Sequence, residues 1–274
     1  MLLKDRIAAL QRQRGLLAPQ PHAGAVAPLR DTLRQLIARR EGRGTRALAP
    51  PAGESIAPGL YRVEQRLPAP CVPAEAPLPW GEPQAVARER LVCFDTETTG
   101  LAGGVGTKAF MIGWSIWEHD VLVVRQLYLT ALGGEAAMLD TFAAALPPDA
   151  VFVSYNGRSY DAPLLKGRYR INRQAHPFEA RAHVDLLYPV RRRFRGVWRD
   201  CKLQTIERQV LGIVREDDLP GAQAPAAWLA FLRGAGSRAL GRVLEHNRQD
   251  LVTLARLFGY LVQTPALMEP CHGG

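Results

Sequence analysis

"FDTETTG", residues 94–100, closes an apolar run that begins at Leu91. The preceding "LVCF" has no polar position, which suits a strand buried on both faces. Along a strand, side chains i and i+2 point to the same face. Asp95 and Glu97 therefore leave the strand end together. Two carboxylates so placed repel one another unless a cation lies between them or one is protonated. A hard divalent ion, Mg²⁺ or Mn²⁺, with oxygen ligands is the economical use of such a pair. The plain alternative is two solvated acids at a strand end.

Around this stretch the pattern alternates. "KAFMIGWSIWE" and "DVLVVRQLYL" read as strands joined by the polar turn "EHD". "GEAAMLDTFAAAL" reads as a helix stopped by Pro147-Pro148, and "AVFVSYN" as a short strand ended by Asn156-Gly157. A helix is expected across "SYDAPLLKGRYR", and "HVDLLYPVRRRF" is ambiguous. "KLQTIERQVLG" reads as helical with Gly212 as its C-cap. "AAWLAFLRG" and "RVLEHNRQDLVTLARLFGYLVQ" are helical too. Strands, then alternation, then helices make an α/β layered domain.

Three further residues belong with the first pair. Asp161 follows the strand "AVFVSYN" at a helix start, where a first-turn acid also suits the helix dipole. Asp250 lies in "EHNRQDLVTL", and His246, four residues earlier, shares its helical face. A His–Asp surface pair is the alternative there. Four acids at the ends of alternating elements suit a two-metal site, with ions about 4 Å apart.

"FDTETTGL", "SYNGRSYDAPLL" and "EHNRQD" resemble the three motifs of the DEDD exonucleases in the ribonuclease H-like superfamily. "LAGGVGTKAF", "HVDLLYPVRRRF", "CKLQTIERQVLG" and "REDDLPGAQAP" resemble more narrowly the YprB-type ribonuclease H-like family. The resemblance covers about residues 90–262. It implies a mixed five-stranded sheet flanked by helices, and 3′→5′ removal of nucleotides with two Mg²⁺ or Mn²⁺ ions. It also implies that Asp95, Glu97, Asp161 and Asp250 are the metal ligands. DEDD enzymes carry a His five residues, or a Tyr four residues, before the last Asp. This chain has His246 at the four-residue spacing and Glu245 at the other. His246 is still the candidate to orient or deprotonate the attacking water, because imidazole titrates near neutrality. In the expected mechanism one ion on Asp95, Glu97 and Asp250 acidifies that water. A second, on Asp95 and near Asp161, stabilises the leaving 3′ oxygen.

The formal net charge is +9 and the pI about 9.8, which points to an anionic partner, nucleic acid first. Residues 1–50 hold ten bases against three acids, so they supply +7 of that charge. They suggest two short helices, serving as an auxiliary arm or as a solubilising leader. Residues 47–87 are rich in Pro and Ala and read as linker, with one strand at "LYRVEQRL". The expected division is a basic extension and linker over 1–87, a ribonuclease H-like exonuclease domain over 88–264, and a tail over 265–274. No apolar stretch reaches the length of a membrane span, and the N-terminus is charged too early for a signal peptide. A cytoplasmic protein without membrane contact is expected. Its oligomeric state is open. Four scattered cysteines without a CxxC pair speak against structural zinc.

Other motifs carry weaker expectations. "GLAGGVGTK" fails the phosphate-loop pattern, so no nucleotide cofactor is expected, though Lys108 could contact a substrate phosphate. "RRRFRGVWRDCK" sets Arg191, Arg192, Arg193, Arg195 and Trp198 where bases and aromatics suit an unpaired strand. A solvated face with the aromatics turned inward is equally open. Tyr160 could line the site. His183 and Asp185 could add a further ligand, but a structural role is favoured, with Asp185 capping a following helix; "EDD", residues 216–218, is expected to form a solvated turn. With the resemblance, these features lead us to expect a metal-dependent nuclease, a 3′→5′ exonuclease on single-stranded DNA or RNA. The alternatives are an endonuclease or resolvase on the same fold, and a catalytically weak nucleic-acid-binding module.

Overall fold

The computed structural model describes residues 49–78, 85–100, 106–179 and 181–264. The basic arm, the "LAGGV" segment and the C-terminal tail lie outside them. Nine strands run β1 (Glu54–Ala57), β2 (Leu60–Pro68), β3 (Glu75–Pro77), β4 (Ala85–Ala87), β5 (Leu91–Thr98), β6 (Ala109–Glu118), β7 (Val121–Leu129), β8 (Val151–Ser154) and β9 (His183–Asp185). Among the described residues six helices accompany them: α1 (Glu135–Ala144), α2 (Asp161–Ile171), α3 (Leu187–Phe194), α4 (Leu203–Ile206), α5 (Ala224–Leu232) and α6 (Arg238–Gln263).

The main sheet has the order β1-β2-β7-β6-β5-β8-β9. β5, β8 and β9 are parallel, and the remaining neighbours are antiparallel. The last five strands form the expected mixed sheet. The other two come from residues 54–68, in the stretch read as linker with one strand: β2 is the expected strand at "LYRVEQRL", and β1 is an addition. β2 pairs with β7 along its whole length, from Leu60↔Leu129 to Pro68↔Val121. β3 and β4 form a second, two-stranded sheet. Proline and alanine content marked this region as irregular, but its alternating "LYRVEQRL" found an open sheet edge to pair with.

β5 opens with four buried residues, Leu91 to Phe94, as a strand covered on both faces must. α6 is 26 residues long, and its buried stripe packs across β5, β6 and β7. "KLQTIERQVLG" is helical through α4 and a π turn over Glu207–Leu211. It stops at Gly212, whose φ of 64° is the left-handed C-cap that glycine favours. Cys93 is a core thiol, pushed up to about 12 by burial. His183, hydrogen-bonded to Ser154 and packed on Phe94 and Phe152, is lowered to about 4 by burial.

Candidate active site

The carboxyl-terminal half of β5 carries Asp95 and Glu97. Asp95 lies opposite Gly113 of β6, and α6 crosses that face. Asn247 of α6, fully buried, donates to Asp95 Oδ2 at 2.8 Å. Its own Oδ1 accepts from Gln126 Nε2 at 2.9 Å, and Gln126 also donates to the Leu244 carbonyl. This chain of amides fixes the rotamer of Asp95 from behind. Gly113 makes room for it. A Cβ there would lie 2.1 Å from Asn247 Oδ1 and 2.8 Å from Leu251 Cδ1. Gly113→Ala is therefore expected to cost about 2–3 kcal/mol by overpacking, a thermal midpoint lower by roughly 4–10 °C. An unchanged midpoint would show that the amide chain does not need that space.

Asp161, at the start of α2, accepts a hydrogen bond from the Thr96 hydroxyl. Asp250 lies one turn beyond His246 on α6 and accepts from Arg215. Asp95 and Glu97 sense the charges of Asp161 and Asp250. Burial first, then the charges of Asp250, Asp161 and Glu97, hold Asp95 well above the usual carboxylate range. Burial, Asp250 and Asp161 do the same to Glu97. Asp161 is raised to about 6, by burial against the pull of its Thr96 bond. Asp250 is raised by burial although His246 and Arg215 oppose it. Among the described residues no three acid or imidazole groups converge on one point within reach of a single ion. Each of three Asp groups gives one oxygen to a protein donor instead: Asn247, Thr96 or Arg215. Repelling carboxylates recruit such donors. A set of buried oxygen donors, raised by burial and for Asp95 and Glu97 also by neighbouring acids, still has the chemistry of a hard divalent cation site.

Three residues with no role in the sequence reading complete the cluster. Arg215, 8% exposed, makes two 2.7 Å bonds to Glu207 and reaches both Asp250 and Asp218. Glu207, 1% exposed, also accepts from the Thr253 hydroxyl. Asp218 accepts from His246 Nδ1 at 2.8 Å. The 3.2 Å approach of Arg215 Nη1 to the same nitrogen cannot also be a hydrogen bond. The shorter contact to an ionised acid decides the tautomer: Nδ1 carries the proton. The other ring nitrogen, Nε2, lies 3.6 Å from Asp250 Oδ2. Burial pushes the Asp218 carboxyl up, but the His246 bond and Arg215 outweigh it and leave it lowered. The expected solvated turn thus holds only in part: Asp217 is exposed, whereas Asp218 turns in to His246.

The expected nucleic-acid contacts divide. Lys108 does not stand over the acids. It pairs at 2.6 Å with Glu135, which also takes both arms of Arg168, because a buried Glu demands full pairing. Arg193 is drawn to Tyr260 and Thr264, its guanidinium over the Phe194 and Tyr260 rings. Arg192 is exposed, and so is Tyr160 at 62%. Arg191, Arg195 and Trp198 line a cavity of about 580 Å³. Trp198 stacks on Phe194, and both rings pack against the core. Asp185 caps α3 as expected, accepting from Leu187 N, and also from Asn156 N and Arg158 N.

No helix among the described residues is long and apolar enough to cross a membrane. A structure of the family B DNA polymerase from the archaeon Pyrobaculum calidifontis is similar over 74% of this chain and 29% of its own, with TM-score 0.49 and 15% identity. An uncharacterized protein of Bacillus subtilis (strain 168), YprB, is 34% identical over 186 residues, 68% of this chain. The chain spans 44% of that relative's length. Residues 92–262, from β5 to the end of α6, match the RNase_H_2 model of the RNase H superfamily, whose members generally use divalent metal ions. That span holds all four acids, His246 and the five-stranded part of the sheet, and the chain belongs to the RNase H superfamily.

Proposed function

We propose that this chain is a metal-dependent nuclease that removes nucleotides from the 3′ end of DNA or RNA. One observation carries the reading: Asp95, Glu97, Asp161 and Asp250 are buried carboxyls at one end of the sheet, and the charges of Asp250 and Asp161 raise the proton affinity of Asp95 and Glu97. A pure binder of nucleic acid has no use for clustered negative charge facing phosphate. Asp95, Glu97 and Asp250, with Asp161, are the residues that would hold two Mg²⁺ or Mn²⁺ ions. Such ions, when bound, acidify a water and offset charge on the scissile phosphate and leaving oxygen. Asn247 holds Asp95 in one rotamer. Asp218 keeps the His246 proton on Nδ1, so that Nε2 faces Asp250 ready to take a proton from the attacking water. Thr96 fixes Asp161 against β5.

The test is product analysis of 5′-labelled single-stranded DNA and RNA oligomers, with a circular single strand alongside, in Mg²⁺ or Mn²⁺. A ladder shrinking from the 3′ end with the circle left intact is the expected result. A cut circle would replace the exonuclease by an endonuclease. The binding-module reading draws on Arg215, a built-in cation already bonded to Asp250. Retained binding with no cleavage of any substrate would establish it instead.

A further inference from the structure

The cavity beside α3 has no part in the chemistry above. Arg191, Arg195, Arg199 and Lys202 line it, with Trp198. Among the described residues none of these four cations is in an ion pair. The one acid in the lining, Asp200, is turned to its own loop, accepting from Lys202 N at 3.1 Å and the Thr205 hydroxyl at 2.6 Å. Three arginines and a lysine thus face one concavity.

The walls are held in place. Gly196, at φ 83°, turns the chain so that Arg195 and Trp198 bridge each other. The Tyr155 hydroxyl donates to the Cys201 carbonyl and ties the loop to the end of β8. Position matters as much as charge. Tyr155 and Asn156 follow directly on β8, and Leu187 follows β9. Both strands run parallel to β5, so the cavity opens at the sheet edge where Asp95 and Glu97 emerge. It lies one and two strand spacings to the side, roughly 5–10 Å.

We propose that this cavity binds unpaired nucleotides of the strand whose end reaches the carboxylates, and so selects single-stranded over duplex nucleic acid. This rests on the nuclease reading for the strand's destination, not for the binding itself. About 580 Å³ is the volume of a small-ligand site, and a base must leave its stack and its partner to enter one. The arginines and Lys202 take the phosphates, and the part of the Trp198 side chain that lines the cavity gives an unpaired base an apolar contact.

The test uses the full chain in EDTA, with fluorescein-labelled single-stranded DNA and RNA dodecamers and the blunt DNA duplex, read by anisotropy over a salt series. Arg195→Ala/Arg199→Ala removes two exposed cations. Arg62→Ala/Arg66→Ala, on β2 near the opposite edge of the sheet, removes the same charge elsewhere. The cavity variant is expected to lose about 1.4 from the log K against log salt slope and about tenfold in single-strand affinity at 0.15 M salt. Duplex binding and the β2 variant should stay at the wild-type values. Wild-type single-strand affinity in the cavity variant, or an equal loss on duplex, overturns the proposal. Wild-type protein that cleaves nothing in Mn²⁺ but shows the selective loss would sink the nuclease reading and leave the cavity standing.

Discussion

Asp95→Asn is expected to lower hydrolysis by about 10³-fold or more and, in EDTA, to raise the thermal midpoint of the protein. The two signs have one cause. Asp95 is held above the usual carboxylate range by burial and by three other acids. At neutral pH its charge is thus a cost to the fold that a bound divalent ion would repay. An amide is nearly the same shape and keeps the bond from Asn247. It removes the charge without opening a cavity. Relief of about 1–2 kcal/mol corresponds to a midpoint higher by roughly 2–6 °C. Mn²⁺ should then raise the midpoint of the wild type by ligand linkage and leave that of Asp95→Asn nearly unmoved. A midpoint that falls in EDTA would mean that Asn247 and its partners already compensate the charge. The carboxylates would then be structural acids, not a cation site held ready.

The parts legible in the sequence were those with local periodicity. "LVCF" needed a strand covered on both faces, and β5 is one. The stripe from Val243 to Leu261 needed a helix packed on one side, and α6 is one. Asp161 and Asp250 were placed by the elements they begin or belong to. The residues that were missed owe their position to partners far along the chain. Arg215 and Asp218 sit in "REDDLP", which looks like a solvated charge run. Nothing local says that Arg215 turns inward, because its carboxylates are Glu207 and Asp250. Lys108 looked free for phosphate for the same reason: Glu135, 27 residues on, claims it. The strand at "LYRVEQRL" was legible, but its place in the main sheet was not, because its partner β7 is about 60 residues away. Asn247 did leave a signal. It interrupts the apolar stripe of α6 between Leu244 and Leu251, and a polar residue at a core position needs a buried partner. Asp95 is that partner.

Arg215→Met should destabilise the protein by about 3–5 kcal/mol, read as a lower denaturation midpoint in urea at unchanged slope. The guanidinium sits among three carboxylates, with two bonds to Glu207 and one each to Asp250 and Asp218. Removing it leaves Glu207, 1% exposed, as a buried charge with only the Thr253 hydroxyl to answer it. That is the costly way to break a buried ion pair; removing both partners is the cheap one. Arg215→Met/Glu207→Leu should therefore recover most of the loss. The remainder, about 1 kcal/mol, reflects the Thr253 hydroxyl left without an acceptor. A single variant within about 1 kcal/mol of wild type would show that water reaches Glu207 and the pair is a surface one in effect. The double variant also separates two roles of Arg215. It restores the packing below Asp250 but leaves that carboxylate without its cation. If Arg215 competes with a divalent ion for Asp250, the double variant binds Mn²⁺ more tightly than wild type. If Arg215 holds Asp250 in its binding rotamer, the double variant binds Mn²⁺ more weakly although its stability is restored. Titration calorimetry with Mn²⁺ on the two proteins decides between them.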